Sequence, residues 1–278
     1  MQARSYDAIL LDLDGTLLDG RSRIRPKNLA ALHAARDSGV RVMVATGRSK
    51  VATLPILAEL QLDSRAVVFN GAAVYCPVRE CLLEERTLSN RTRARVLAFG
   101  EHKDHLTIIM QGHRKLALEP RTEVERRSLE GLHGLEFVPR DALAVDNVIR
   151  ITFLSGEYEH SAQYAREVEE FVRQPMYLTH FPLSMLPMHR ESQMHAVDVH
   201  PPCRGKGEAL RVLEETYGIP QERVVAVGDA TNDVPMLERA GLAVAMENSM
   251  EEVVRIADRV IGHHDTDAIA ELVEELLL

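Results

Sequence analysis

Ala8-Ile9-Leu10-Leu11-Asp12-Leu13-Asp14-Gly15-Thr16-Leu17-Leu18 opens with four apolar residues and then sets two carboxylates two positions apart. A short unbroken apolar run ending near a glycine reads as a strand buried on both faces, as in a parallel sheet covered by helices. Asp12 and Asp14 then fall at the carboxyl end of that strand, the edge where open α/β sheets gather their ligand-binding loops. Neighbouring carboxylates repel, so either one keeps a proton or both share a cation, and hard oxygen ligands favour Mg²⁺. Gly15 permits a tight exit and lets backbone N–H groups approach an anion. Taken alone, the stretch also fits a turn of solvated aspartates.

Working outward, the pattern predicts a helix over 28–38, a strand over 40–45, a helix over 50–60 and a third buried strand over 66–69 that ends at Asn70-Gly71. That is a βαβαβ unit with right-handed crossovers. The same alternation returns late in the chain: helix 206–216, strand 224–227, helix 234–240, strand 242–245, helix 250–257, the short run 259–261 and a closing helix over 267–276. Both ends are expected to share one sheet. Between them the pattern changes to short strands over 107–110 and 148–153 and a helix over 160–173, without regular α/β alternation, which reads as an inserted α+β domain. The expected organisation is a core of residues 1–84 and 196–278 with an insertion of residues 85–195.

The length of 278 residues suits two modules, and 45% hydrophobic with 27% charged residues is ordinary for a globular chain. A net charge of −9 argues against neutralising a nucleic-acid backbone, so a small phosphorylated ligand fits better. The 3 cysteines give no disulfide framework, and Cys76 and Cys81, which flank Pro77-Val78-Arg79-Glu80 across a hairpin, are expected as free thiols in a reducing cytoplasm. No apolar run reaches the length of a membrane span, and no leader-type segment is expected at the start. The 12 histidines show no zinc-ligand spacing; His263-His264 cannot both point at one ion without help from elsewhere, and the histidines are read as surface or packing residues.

Further strand ends add chemistry. Ala45-Thr46-Gly47-Arg48 brings a hydroxyl, a glycine backbone and a guanidinium to a helix entrance, although Thr46 also suits an N-cap. Arg204-Gly205-Lys206-Gly207 opens another helix with an ammonium that the helix dipole does not favour, which suggests an anion nearby. Gly228-Asp229-Ala230-Thr231-Asn232-Asp233 supplies a second acidic cluster, compatible with capping as well.

In this order the motifs resemble those of the haloacid dehalogenase-like hydrolase superfamily: Asp12-Leu13-Asp14-Gly15-Thr16, Thr46, Lys206, then Gly228-Asp229 with Asn232-Asp233. Ala45-Thr46-Gly47-Arg48, Asn70-Gly71-Ala72 and Lys206-Gly207 are similar to the Cof-type subfamily. The run Pro201-Pro202-Cys203-Arg204 departs from relatives with a more hydrophobic or Ser-containing approach to the lysine. The resemblance implies a Rossmann-like α/β core with an inserted α+β cap of the C2B-like type. It also implies a Mg²⁺-dependent phosphatase acting on a small phosphorylated metabolite through an aspartyl-phosphate.

On that reading Asp12 is the nucleophile and Asp14 the general acid and base. Thr46, Gly47, Arg48, Asn70, Gly71 and Lys206 form the phosphate pocket. Asp12, Asp14 (through its carbonyl), Asp229, and Asn232 or Asp233 behind a water hold the metal. The cap closes over the leaving group, with 181–195 (Met185, Met188, His189, Arg190, His195) as candidate lining and core packing as the alternative for its methionines. Transfer to a second substrate by the same chemistry, as in a phosphotransferase or phosphomutase, is a rival that the sequence does not separate. A phospho-acceptor signalling module disagrees in motif order, and a dinucleotide fold lacks Gly-x-Gly-x-x-Gly after the first strand. No nucleic-acid or membrane partner is expected, and the oligomeric state is not legible.

Overall fold

The computed structural model describes residues 5–278. It divides into two compact units, one running up to Glu84 and resuming at Arg204–Leu278, the other Glu85–Cys203.

The first unit is built on a five-stranded sheet of order β14-β13-β12-β1-β2, where β1 is Ala8–Leu11, β2 Arg41–Val44, β12 Val224–Gly228, β13 Leu242–Met246 and β14 Arg259–Ile261. Every pairing in it is parallel, with β1 between β2 and β12 in the registers Ala8↔Arg41 and Ala8↔Val224. Alternation along β1 explains its unbroken apolar run. Ile9 and Leu11 pack in a cluster with Leu32 of α1 (Pro26–Asp37) and Ile269 and Leu272 of α9 (Ala268–Leu276). Ala8 and Leu10 pack in another with Leu210 and Leu213 of α6 (Glu208–Tyr217). Each fully buried leucine or isoleucine contributes roughly 1.5–3 kcal/mol, so the strand is held from both sides. Pro26 starts α1 at a position where its missing N–H costs nothing, and α6 ends at Gly218 in the left-handed region (φ 67°).

The third expected strand behaves differently. β3 (Ala66–Val68) touches the parallel sheet through the single bridge Ala45↔Val67, and pairs antiparallel with β4 (Ala73–Cys76) in a three-stranded sheet completed by β5 (Cys81–Glu85). Asn70 and Gly71 turn the chain between β3 and β4 with φ of 50° and 93°. Cys76, Cys81 and Cys203 are free thiols.

The second unit carries a six-stranded sheet of order β10-β11-β9-β6-β7-β8: β6 Leu106–Met110, β7 Lys115–Ala117, β8 Leu135–Phe137, β9 Arg150–Ser155, β10 Tyr177–Pro182 and β11 His195–His200. Its pairings are antiparallel except for β7 with β8. Phe99 of α3 (Asn90–His102) and Tyr164 and Val168 of α5 (Ser161–Val172) pack against Ile109, Ile151, Phe153, Val197 and Val199 of the sheet. This is the expected α+β insertion with a corrected end. The expected boundary after His195 falls instead after Cys203, because the alternating His195-Ala196-Val197-Asp198-Val199-His200 is a strand paired with both β9 and β10. Among the described residues no helix is long and apolar enough to cross a membrane.

Candidate active site

Asp12 follows β1 directly, its N–H donating to Val227 O at 3.1 Å, and its side chain is buried. Parallel pairing sets the end of β1 beside the end of β12, and this brings Asp229, the residue after Gly228, to the same edge. Carboxylate oxygens of Asp12, Asp229 and Asp233 lie within 4.8 Å of one another. Lys206, fully buried in the short 3-10 turn Gly205–Gly207, donates from Nζ to Asp12 Oδ1 at 2.6 Å and to Asp233 Oδ1 at 2.5 Å. The other oxygen of Asp233 accepts the N–H groups of Asp229 and Ala230, both at 2.9 Å, so Asp233 fixes the turn after β12 while it holds the lysine.

Burial raises Asp12 to about 7; Lys206 opposes this, and Asp233 and Asp14 reinforce it. Burial, then the charges of Asp12 and Asp233, also raise Asp229 well above the usual carboxylate range. Burial by itself would lower the Lys206 ammonium, but Asp12 and Asp233 outweigh it and the net shift is upward. One ammonium among three buried carboxylates leaves excess negative charge on hard oxygen donors, and such a set fits a divalent cation.

The remaining expected residues gather around this centre. Arg48 reaches Asp14 rather than standing free for an anion: Nε donates to Oδ2 at 2.7 Å and Nη2 to Oδ1 at 2.5 Å. Burial tends to lower the guanidinium, and the Asp14 bonds raise it overall. Thr46 is buried, its N–H bonded to Val67 O and its hydroxyl accepting the Arg48 N–H at 3.1 Å. The N-cap of α2 (Lys50–Glu59) is Ser49, whose hydroxyl accepts from Ala52 N, so Thr46 is not that cap. Gly47 lies against the Asn70 amide: a Cβ there would meet Oδ1 at 3.0 Å, a tight approach that Asn70 would have to yield to. Asn70 is buried and accepts from Asn232 Nδ2 at 3.1 Å, which links the turn after β3 to the turn after β12. Gly71 backs onto the Lys206 turn so closely that a Cβ would sit 2.1 Å from Gly205 O.

Two participants have no role in the sequence reading. Thr16, fully buried, donates its hydroxyl to Asp229 Oδ1 at 2.8 Å, and Asn248 donates to Gly15 O at 2.8 Å. Thr16 stands inside the first motif and was legible as a polar residue. Asn248 follows β13 with no sequence signal beyond a turn-forming residue. The segment 181–195 lies in the second unit, where Met185 and Met188 are exposed and His189 is buried, its Nε2 3.1 Å from Glu130 O.

Comparison with known proteins places the whole chain in a family. A family model described as haloacid dehalogenase-like hydrolase matches residues 9–273. The chain is 31% identical over 285 residues to pyridoxal phosphate phosphatase YbhA of Escherichia coli, covering 97% of this chain and 98% of that protein. It is 26% identical to 5-amino-6-(5-phospho-D-ribitylamino)uracil phosphatase YwtE of Bacillus subtilis, covering 97% of each. Among solved structures it resembles a haloacid dehalogenase-like hydrolase from Bacteroides thetaiotaomicron (TM-score 0.79, 22% identity, 97% and 99% covered) and the HAD subclass IIB sugar phosphatase BT4131 (TM-score 0.80, 24% identity, 97% and 98% covered). The chain belongs to the haloacid dehalogenase-like hydrolase family, in its Cof-type branch, and is a phosphoric monoester hydrolase.

Proposed function

We propose that the chain hydrolyses small phosphorylated metabolites by nucleophilic attack of Asp12 on phosphorus, with Mg²⁺ as the cofactor. The observation that carries this reading is the buried Lys206, bonded at once to Asp12 and Asp233, beside a second strand end that supplies Asp229. Lys206 holds the Asp12 carboxylate in one orientation and offers an ammonium to phosphoryl oxygens. The Asp12 carboxylate forms the aspartyl-phosphate as the ester oxygen leaves. Asp14, held in place by Arg48 as a carboxylate, takes a proton from solvent as the fork opens, gives it to that oxygen and later takes one from the water that frees phosphate. Thr46, Gly47, Asn70 and Gly71 line the phosphate pocket, with Asn232 tied to Asn70.

Asp12 and Asp229 would hold Mg²⁺ through side-chain oxygens and Asp14 through its carbonyl, with Asn232 and Asp233 outside them. When bound, Mg²⁺ neutralises charge on the carboxylates and the phosphoryl group. Thr16, bonded to Asp229, orients one of these ligands.

The first substrates to try are pyridoxal phosphate, 5-amino-6-(5-phospho-D-ribitylamino)uracil and sugar phosphates, after the relatives' names. The test is phosphate release from an aryl phosphate and this panel, with Mg²⁺ or excess EDTA, for the wild type and Asp12→Asn. Release that needs both Mg²⁺ and Asp12 is expected; release that survives Asp12→Asn sinks the reading.

A further inference from the structure

The segment after β14 holds a group of residues that the phosphatase site does not use. A ring nitrogen of His263, a ring nitrogen of His264 and a carboxylate oxygen of Asp265 lie within 4.8 Å of one another, and the two imidazole centroids are 4.5 Å apart. Both rings are half-buried and Asp265 is exposed. Two imidazoles and one carboxylate form a donor set suited to borderline transition metals rather than to Mg²⁺.

Second-layer contacts orient these ligands from outside the group. His264 Nδ1 lies 2.7 Å from Leu18 O, so in the neutral ring it donates there and Nε2 carries the lone pair. The His264 N–H is held by Asn248 Oδ1 at 3.0 Å. Asp265 divides its oxygens: Oδ1 accepts the Gly20 N–H at 2.7 Å, while Oδ2 sits 3.6 Å from His263 Nδ1. Two ligands at Zn²⁺ bonding distances in a tetrahedron are about 3.4 Å apart, so that last separation is close to what one ion needs. His263 Nδ1 now accepts the Asp265 N–H at 3.1 Å and would exchange that bond for the ion.

We infer that His263, His264 and Asp265 bind one Zn²⁺-class divalent ion, separate from the acidic cluster, with water completing its coordination. The protein contacts of these ligands run to Leu18 and Gly20, so the ion would brace the loop that leaves Asp12-Leu13-Asp14-Gly15 against the segment before α9.

The test is a Zn²⁺ titration of the whole protein against a chromophoric chelator, with Mg²⁺ in large excess to occupy the acidic cluster, followed by Co²⁺ substitution as a spectroscopic probe. The wild type is expected to take one equivalent, with a Co²⁺ spectrum free of thiolate charge transfer. His264→Gln and His263→Asn are each expected to weaken binding at least about tenfold. Mg²⁺-dependent hydrolysis measured without Zn²⁺ should stay near the wild-type rate. His263→Asn serves where His264→Gln disturbs the fold, since the His263 ring is partly exposed and makes one hydrogen bond, to the Asp265 N–H, while its other bonds run through its backbone carbonyl. Unchanged affinity in both variants, no binding above the Mg²⁺ background, or a thiolate band pointing to the cysteines would overturn the assignment.

Discussion

The Arg48 guanidinium grips the Asp14 carboxylate through two parallel bonds of 2.7 and 2.5 Å, a fork that lysine cannot reproduce. Arg48 is therefore placed to act through Asp14. Arg48→Lys and Arg48→Ala are predicted to lower kcat for an aryl phosphate by about 10- to 100-fold, a part of the roughly 100- to 10,000-fold that general acid–base catalysis supplies, because the acid itself stays in place. KM and inhibition by inorganic phosphate should change little. A rise in the phosphate inhibition constant with kcat intact would instead make Arg48 a phosphate ligand.

Lys206 is 0% exposed and bonds two buried carboxylates, so its removal strands both. Breaking a buried ion pair from one side typically costs about 3–5 kcal/mol. Lys206→Met is predicted to lose stability of that order in urea unfolding and to lack activity. A loss below about 1 kcal/mol would show that the carboxylates relax to water or protonate without the lysine.

Asp229 carries the opposite expectation. Burial and the charges of Asp12 and Asp233 make its ionised form unfavourable in the metal-free protein. Asp229→Asn should raise the metal-free Tm at neutral pH while abolishing the increase in Tm that Mg²⁺ gives the wild type by binding the folded state. Thermal melts in EDTA and in Mg²⁺ decide this, and a variant that Mg²⁺ still stabilises to the wild-type extent would move the metal elsewhere.

Gly71 has φ +93°, and a Cβ on it would sit 2.1 Å from Gly205 O, next to Lys206. Gly71→Ala combines left-handed strain of about 1–2 kcal/mol with a clash that backbone movement alone relieves. The variant should fold with a lowered Tm and lose activity by displacing Lys206; wild-type turnover would show that the turn is slack.

The core and the centre of the site were legible for one physical reason. Strands buried on both faces are unbroken apolar runs, and whatever polar residue ends such a run lies at the sheet edge, as Asp12 and Asp229 do. What was not legible depends on contacts that no local pattern encodes. Arg48 signals a nearby anion by its place at a helix start, yet that anion proves to be Asp14 of the same chain. Thr16 and Asp229 meet across 213 positions. β7 and β8 have three residues each, too few to display a period of two. β3 has the apolar run of a parallel strand, but the tight turn at Asn70-Gly71 returns it into an antiparallel pair.

The second unit contains four histidines, His105, His180, His195 and His200, whose pKa values are lowered, with burial the leading cause in each. His200, fully buried and also near Arg150, lies well below the usual value of about 6.5. Its folded form resists a proton that the unfolded chain accepts near pH 6.5, so below that pH the unfolded state binds more protons and stability falls as pH falls. Stability from this source is complete above about 6.5 and drains away as the pH drops toward the lowered folded values. Asp12, raised to about 7, tilts the metal-free protein the other way between its usual carboxylate range and neutrality, so the measurement belongs in saturating Mg²⁺. Urea unfolding at pH 8, 6.5 and 5 should show the wild type weakening on acidification and His200→Gln, which keeps a polar group beside Thr179, weakening less steeply. Parallel profiles for the two proteins would place the acid sensitivity outside His200.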